Sequence, residues 1–199
     1  MAGPRSKPLL KAPLRAAVAA VARALSQLPM PGMLIGGIAV IARGVPRTTR
    51  DVDATFSAGT GQLEDVLRIF EEHQLAPRID DVRAFAQANQ VLLLRHAPSG
   101  VDVDVSLAWL PFELEAINAS DKLLVGEVQV PVARPEDLVI YKAIAWRPQD
   151  QQDVERLLNL HGDRMDLVRV RRVVAELAAA LDEPERASEL ERVIQRALT

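Results

Sequence analysis

The chain has no cysteine among its 199 residues. That excludes a disulfide framework, thiolate-ligated zinc, iron–sulfur clusters and a Cys nucleophile, and it suits a reducing cytosol. Aromatic residues are scarce, at 4%, so a core must be built from Val, Leu, Ile and Ala. Neither sign of charge dominates: 24 Lys+Arg stand against 27 Asp+Glu, a net of -3. This argues against general coating of nucleic acid and leaves room only for a local basic groove. Long apolar runs are missing as well. Ala16–Ala22, bounded by Arg15 and Arg23, falls far short of the roughly 20 residues a membrane span needs. Arg5, Lys7, Lys11 and Arg15 precede that run as they would in a signal peptide. Leu14, Val18, Val21, Leu25 and Leu28 nevertheless share one helical stripe, which reads as an amphipathic domain helix. There is no phosphate-binding P-loop and no Gly-x-Ser-x-Gly, so Walker-type and Ser-triad chemistry have no support. His73, His96 and His161 lack metal-ligand spacing and read as surface or helix-end residues.

What is present is a chain of 49% hydrophobic residues, enough for one large or two small globular domains. Residues 1–12 hold Gly3, Pro4 and Pro8 and read as a loose tail. A helix is expected over Leu14–Gln27, then a short strand Met33–Ile35 broken by Gly36-Gly37, and a short helix Ile38–Arg43. Asp51–Phe56 alternates as a strand, and Leu63–His73 is amphipathic with a helical period. Gln90–Arg95 and Val101–Leu107 flank Ala97-Pro98-Ser99-Gly100, a hairpin signal. Lys122–Val125 and Glu127–Val132 form a further β pair. Pro135 opens a helix to Trp146, with Glu136 and Asp137 matched to its dipole. Met165–Leu198 holds two amphipathic runs parted near Asp182–Pro184. The order is α/β first and all-α last: tail 1–12, α/β core 13–133, helical region 134–199.

Two strands carry chemistry. Successive strand residues face opposite ways, so Asp51, Asp53 and Thr55 share one face, the carboxylates about 7 Å apart. Asp102, Asp104 and Ser106 repeat the pattern. If the strands are neighbours, up to four carboxylates crowd one patch and repel unless cations neutralise them. Two divalent ions about 3.5–4 Å apart, Mg2+ or Mn2+, suit such a patch and serve phosphoryl transfer. Two unrelated solvated strand faces would read the same way. Upstream, Gly36-Gly37 between strand and helix lets backbone N–H groups approach a phosphate. Pro46-Arg47-Thr48-Thr49-Arg50 leads into the carboxylates, where Arg47 and Arg50 fit triphosphate oxygens or surface ion pairs.

Taken together, Leu34–Thr55 resembles motif I of the nucleotidyltransferase superfamily typified by DNA polymerase beta. The run Gly44–Asp53 is similar to the AbiEii/AbiGii type of bacterial toxin. So is Arg134–Ala143 followed by Arg147-Pro148-Gln149-Asp150-Gln151-Gln152-Asp153. The resemblance covers roughly residues 30–160. It implies an α/β (α+β) core with a small mixed sheet flanked by helices, and transfer of a nucleotide from an NTP. Gly36, Gly37, Arg47, Thr48 and Arg50 would bind the nucleotide. Asp51, Asp53 and Asp104 would hold metal, with Asp102 as the alternative third carboxylate. Lys142 would be catalytic.

Lys142 is the one interior charge of an otherwise apolar helix. Such a Lys either snorkels to water or points into the cleft, where Asp104, Asp150 or a triphosphate would meet it. Asp150 and Asp153, one helical turn apart, either orient Lys142 or Arg147 or lie on a wet helix face. Arg164, Arg169, Arg171 and Arg172 either grip an RNA backbone or form a solvated face. The resemblance implies a cytoplasmic, membrane-free enzyme whose acceptor is a tRNA or other RNA end, in a toxin–antitoxin pair with a cognate antitoxin. The alternatives are an antibiotic-modifying nucleotidyltransferase and a non-catalytic binding module of the same fold.

Overall fold

The computed structural model describes residues 10–57 and 60–198. Helix α1 (Ala12–Gln27) leads to β1 (Gly32–Ile35), α2 (Gly36–Ala42), β2 (Val52–Ser57) and α3 (Leu63–Glu72). Then come β3 (Leu75–Pro77), α4 (Val82–Asn89), β4 (Val91–His96), β5 (Val101–Ala108) and α5 (Pro111–Asn118). A hairpin of β6 (Asp121–Val125) and β7 (Val128–Val132) follows. The chain ends with α6 (Pro135–Ala145), α7 (Pro148–His161), α8 (Leu167–Ala180) and α9 (Glu185–Ala197). The strands form one mixed sheet in the order β3-β4-β5-β2-β1-β7-β6.

The α/β class with a mixed sheet is as the sequence predicts, but seven strands make the sheet larger than expected. The added strand, β3, is three residues at one edge and ends in Pro77, a residue that edges tolerate. Helix α4 is short and buries only Val82 and Ala86, too few residues to show a period. Helix α5 carried readable signals. Pro111 sits in its first turn, and Glu113 accepts the backbone N–H groups of Trp109 and Leu110, both at 3.1 Å.

The centre of the sheet sets the register of the site. Strand β2 runs antiparallel to β1 and parallel to β5, and Asp53 lies opposite Asp104. Val52, Ala54 and Phe56 are fully buried on one face. On the other face Thr55 is buried too and donates to the Ser106 carbonyl at 3.2 Å, whereas Asp53 is only partly covered. The Asp face is therefore closed at one end of the strand and open at the other.

Helix α6 buries Leu138, Val139, Ile140 and Ala143 because it packs on α7, α8 and α9 and also on α2. The C-terminal helices thus join the first half through α6 instead of standing apart. Asp137, with no exposed surface, receives Arg134 at 3.1 Å and Arg169 at 2.7 Å, tying α6 to α8. Arg43, at the end of α2, donates to the Ala133 and Val132 carbonyls at 2.8 and 2.9 Å and pairs with Asp121 at 2.9 Å.

Several expectations need correction. Of the supposed tail, residues 1–9 lie outside the described residues, but Leu10 is buried and Ala12 already begins α1. Helix α2 starts at Gly36, two residues early. His96 is buried, not a surface residue, because it continues the inward alternation of Leu92 and Leu94. Its Nδ1 meets the Ser99 hydroxyl at 2.7 Å, and burial pulls its pKa down. Of the C-terminal arginines, Arg164, Arg171 and Arg172 lie on a solvated face as expected, whereas Arg169 is largely buried. Arg164, Arg169, Arg171 and Arg172 face Asp163, Asp137, Glu191 and Glu176 respectively.

Truncating the buried Asp137 leaves the guanidinium of Arg169 with only Glu115, at 3.6 Å and itself exposed, as a partner. Asp137→Ala should cost about 3–5 kcal/mol by urea denaturation. Arg172→Ala, which removes an exposed pair, should leave the midpoint nearly unchanged.

Candidate active site

Gly36 and Asp53 are fitted to each other. Gly36 has φ +60, in the left-handed region, and a Cβ there would overlap the Asp53 carboxylate. Gly37 donates its backbone N–H to Asp53 Oδ2 at 3.4 Å. A Cβ on Gly37 would lie 2.6 Å from the Thr49 hydroxyl. The Gly-Gly step thus lets both the carboxylate and the loop before β2 close against the start of α2. Asp51, just ahead of the strand, accepts from Thr49 Oγ1 at 2.6 Å.

These groups line one cleft of about 990 Å³. Gly36, Gly37, Arg47, Thr48, Arg50, Asp51, Asp53, Asp104, Lys142 and Asp150 all contribute to its wall. Thr48 and Arg50 are exposed there, and Arg50 has no ion pair among the described residues. Asp102 and Asp153 lie outside that wall. Thr49 and Tyr141 also line it and were not foreseen.

Lys142 turns into the structure. Its side chain is 7% exposed, and Nζ meets Asp150 at 2.8 Å and Asp153 at 3.0 Å. Both aspartates are buried, not on a wet helix face. Asp150 also takes the Arg147 backbone N–H at 3.2 Å and its Nε at 2.6 Å, which closes the first turn of α7 behind Pro148. Burial alone would raise the Asp150 pKa, but the bonds from Arg147 and Lys142 outweigh it and leave it lowered. Asp153 forms a short ion pair with Arg47, whose side chain is 9% exposed. Arg47 is therefore anchored to α7 and not projecting freely at the cleft.

On the other strand, Asp102 is claimed by Arg95 at 2.7 Å and Arg78 at 3.4 Å, and the Arg95 bond holds its pKa down. Asp104 binds Arg78. Arg78 follows the short edge strand β3, where no sequence pattern marks it. Burial nonetheless raises the Asp104 pKa against the pull of Arg78, with Asp51 and Asp102 adding to the rise. Burial, followed by repulsion from Asp51, pushes Asp53 up to about 6, although Gly37 N–H and Lys142 act the other way.

Around this cleft Asp102, Asp104, Asp150 and Asp153 each have a basic partner. Asp51 and Asp53 have no ion pair among the described residues. Two adjacent, uncompensated hard-oxygen donors fit a divalent cation, which would relieve the strain that raises Asp53. No three such side chains among the described residues converge closely enough to hold an ion as they stand. Asp51 and Asp53 therefore carry the fit, and Asp104 is shared with Arg78.

A model for a nucleotidyltransferase of unknown function (DUF6036) matches residues 16–197. The chain belongs to this family. No match is found among curated proteins. Among solved structures, the family member resembles the antibiotic-resistance factor ANT(2'')-Ia at TM-score 0.58 and 14% identity, over 88% of this chain and 97% of that one. It also resembles an antigenic nucleotidyltransferase-like protein from Paracoccidioides brasiliensis at TM-score 0.52 and 17% identity, over 92% and 94% of the two chains. These likenesses place the fold among nucleotidyltransferases. Among the described residues no helix is long and apolar enough to cross a membrane.

A carboxyl whose folded pKa is raised adds stability that is complete below its unfolded value of 3.8 and is lost as pH rises through about 6. Without divalent ions, wild-type stability should fall across that window. Asp53→Asn should flatten the fall and be more stable than wild type at pH 7 by roughly 2–3 kcal/mol. Equal pH profiles in chemical denaturation would contradict this. Gly36→Ala should cost about 1–3 kcal/mol, since the strained φ and the Asp53 overlap act together.

Proposed function

We propose that the cleft transfers a nucleoside monophosphate from an NTP to an acceptor hydroxyl. The observation that carries this reading is the uncompensated Asp51–Asp53 pair beside Gly36-Gly37, in a cleft where the other carboxylates are neutralised. Asp51 and Asp53 would hold Mg2+ or Mn2+, and a second ion, as the superfamily resemblance implies, would draw on Asp104. Bound metal would supply charge neutralisation for the triphosphate.

The chain's own residues do the rest. Lys142 donates one hydrogen bond to Asp150 and pairs by charge with Asp153, which leaves it donor capacity for a phosphate oxygen. Arg50 and Thr48 stand exposed on the same wall to meet the triphosphate tail. Asp104 takes the proton of the acceptor hydroxyl. The acceptor oxygen then bonds to the α-phosphorus as its bond to the bridging oxygen breaks, and pyrophosphate leaves.

For the acceptor, two classes compete. The AbiEii/AbiGii resemblance points to an RNA end and to a toxin with a cognate antitoxin. Arg164, Arg169, Arg171 and Arg172 each have an acidic neighbour, which gives an RNA backbone less unopposed positive charge to meet. That charge balance favours a small hydroxyl-bearing acceptor, and the fold likeness to ANT(2'')-Ia is compatible with one.

The test is incubation with each α-labelled NTP and Mg2+ or Mn2+, with total RNA, a protein lysate or a panel of aminoglycosides and other polyols. Label on a small molecule is the expected result, and label on RNA would restore the toxin reading. Asp51→Asn and Asp53→Asn should each lower transfer by about 100-fold or more. Transfer at the wild-type rate by either variant, or none by the wild type with any acceptor, would overturn the assignment.

A further inference from the structure

Arg78 lies outside every motif and does not line the cleft. Its backbone N–H donates to the Leu93 carbonyl at 3.0 Å, continuing the β3–β4 ladder by one residue. That bond fixes where its side chain starts. The side chain is 21% exposed and reaches across β4 to the acidic face of β5, where Nη2 binds Asp104 Oδ1. Nη1 lies 3.4 Å from Asp102.

Two features separate this pair from an ordinary surface ion pair. Arg78 Nε is buried without a hydrogen-bond partner, so the guanidinium is held through its two terminal nitrogens alone, both turned to β5. Asp102 is already neutralised by Arg95, its register neighbour on β4, so the charge of Arg78 is left for Asp104. Arg78 also approaches Asp104 from behind. The carboxylate lines the cleft and the guanidinium does not. Oδ1 is thereby occupied on the sheet side, and Oδ2 has no hydrogen-bond partner among the described residues.

We propose that Arg78 is a positioning residue, which holds Asp104 by one oxygen so that the other is presented to the acceptor hydroxyl. This deepens, and rests on, the nucleotidyl-transfer reading of the cleft. A side chain acting only through Asp104 has a distinct kinetic signature. It lowers turnover without touching the nucleotide, and its loss adds nothing once Asp104 is gone.

The experiment compares wild type, Arg78→Ala, Arg78→Met, Asp104→Asn and the Arg78→Ala/Asp104→Asn double variant in the labelled-NTP assay. Thermal midpoints of all five are recorded alongside. Arg78→Met keeps the stem, so a fold defect in the Ala variant does not end the test. The expected result is a loss in kcat of about 10–100-fold with KM for the NTP changed less than threefold. The double variant should be no slower than Asp104→Asn alone. Guanidinium ion at millimolar concentration should restore part of the activity of Arg78→Ala and none of that of Asp104→Asn. Removing the Asp104 charge as well should recover the midpoint lost in Arg78→Ala, since the carboxylate that Arg78 had paired is then neutral.

A rise in KM with unchanged kcat would place Arg78 on the nucleotide and overturn the proposal. So would additive losses in the double variant, or wild-type rates in both Arg78 variants. An inactive wild type would instead fail the nucleotidyl-transfer reading, and this proposal with it. A working wild type with unaffected Arg78 variants fails this proposal alone.

Discussion

The fold is arranged around one electrostatic difficulty, the carboxylate of Asp53. It is packed against the backbone of Gly36, beside Asp51 and opposite Asp104. Burial and like charge both act against its ionisation. Gly36 and Gly37 remove every side chain that would compete for its space. The loop before β2 closes over it, and α6 brings a cation to within electrostatic reach. The geometry of the Gly-Gly turn, the register of β2 on β5 and the burial of Lys142 all bear on that single group.

Counter-ions are distributed unevenly, and the unevenness is informative. Lys142 and Arg47 share Asp153, Lys142 and Arg147 share Asp150, and Arg78 and Arg95 divide Asp104 and Asp102. The buried pairs among these contribute little net stability because desolvation offsets attraction, and the exposed Arg95–Asp102 pair little because water screens it. Their effect is to fix geometry. Asp51 and Asp53 are left out of the pairing, and it is on this pair that the proposed metal-bound nucleotide rests.

Much of this was legible in the sequence. Alternation in Asp51–Thr55 and Asp102–Ser106 placed the carboxylates on single faces. The spacing from Gly-Gly to Asp-x-Asp pointed to the fold, and the apolar surround of Lys142 narrowed it to snorkelling or burial, of which the structure has burial. What was not legible has physical reasons. Alternation is blind to which neighbour an Asp meets, so Asp102 and Asp104 looked equivalent until β4 supplied Arg95 to one and the end of β3 supplied Arg78 to the other. Arg78 gave no signal because three-residue edge strands have no period. His96 and Glu113 were readable but passed over: one continued the Leu92–Leu94 alternation, and the other followed Pro111 as a capping residue follows a helix start. Arg47 looked like a free phosphate ligand because its partner, Asp153, is more than a hundred residues away in the chain.

Helix α7 also acts as a splint. His161 Nε2 reaches the Arg43 carbonyl at 2.8 Å, Arg156 reaches the Pro46 carbonyl at 3.4 Å, and Asp153 grips Arg47. These three ties are spaced along one rigid rod and fasten the stretch of chain that delivers Asp51 to the cleft. That stretch has no regular secondary structure of its own, so it borrows its stiffness from a helix made a hundred residues later. Residues of the helical region after 133 therefore share in holding the loop that carries Asp51. Residues 43–51 and α7 are thus one mechanical unit whose parts lie more than a hundred residues apart in the chain.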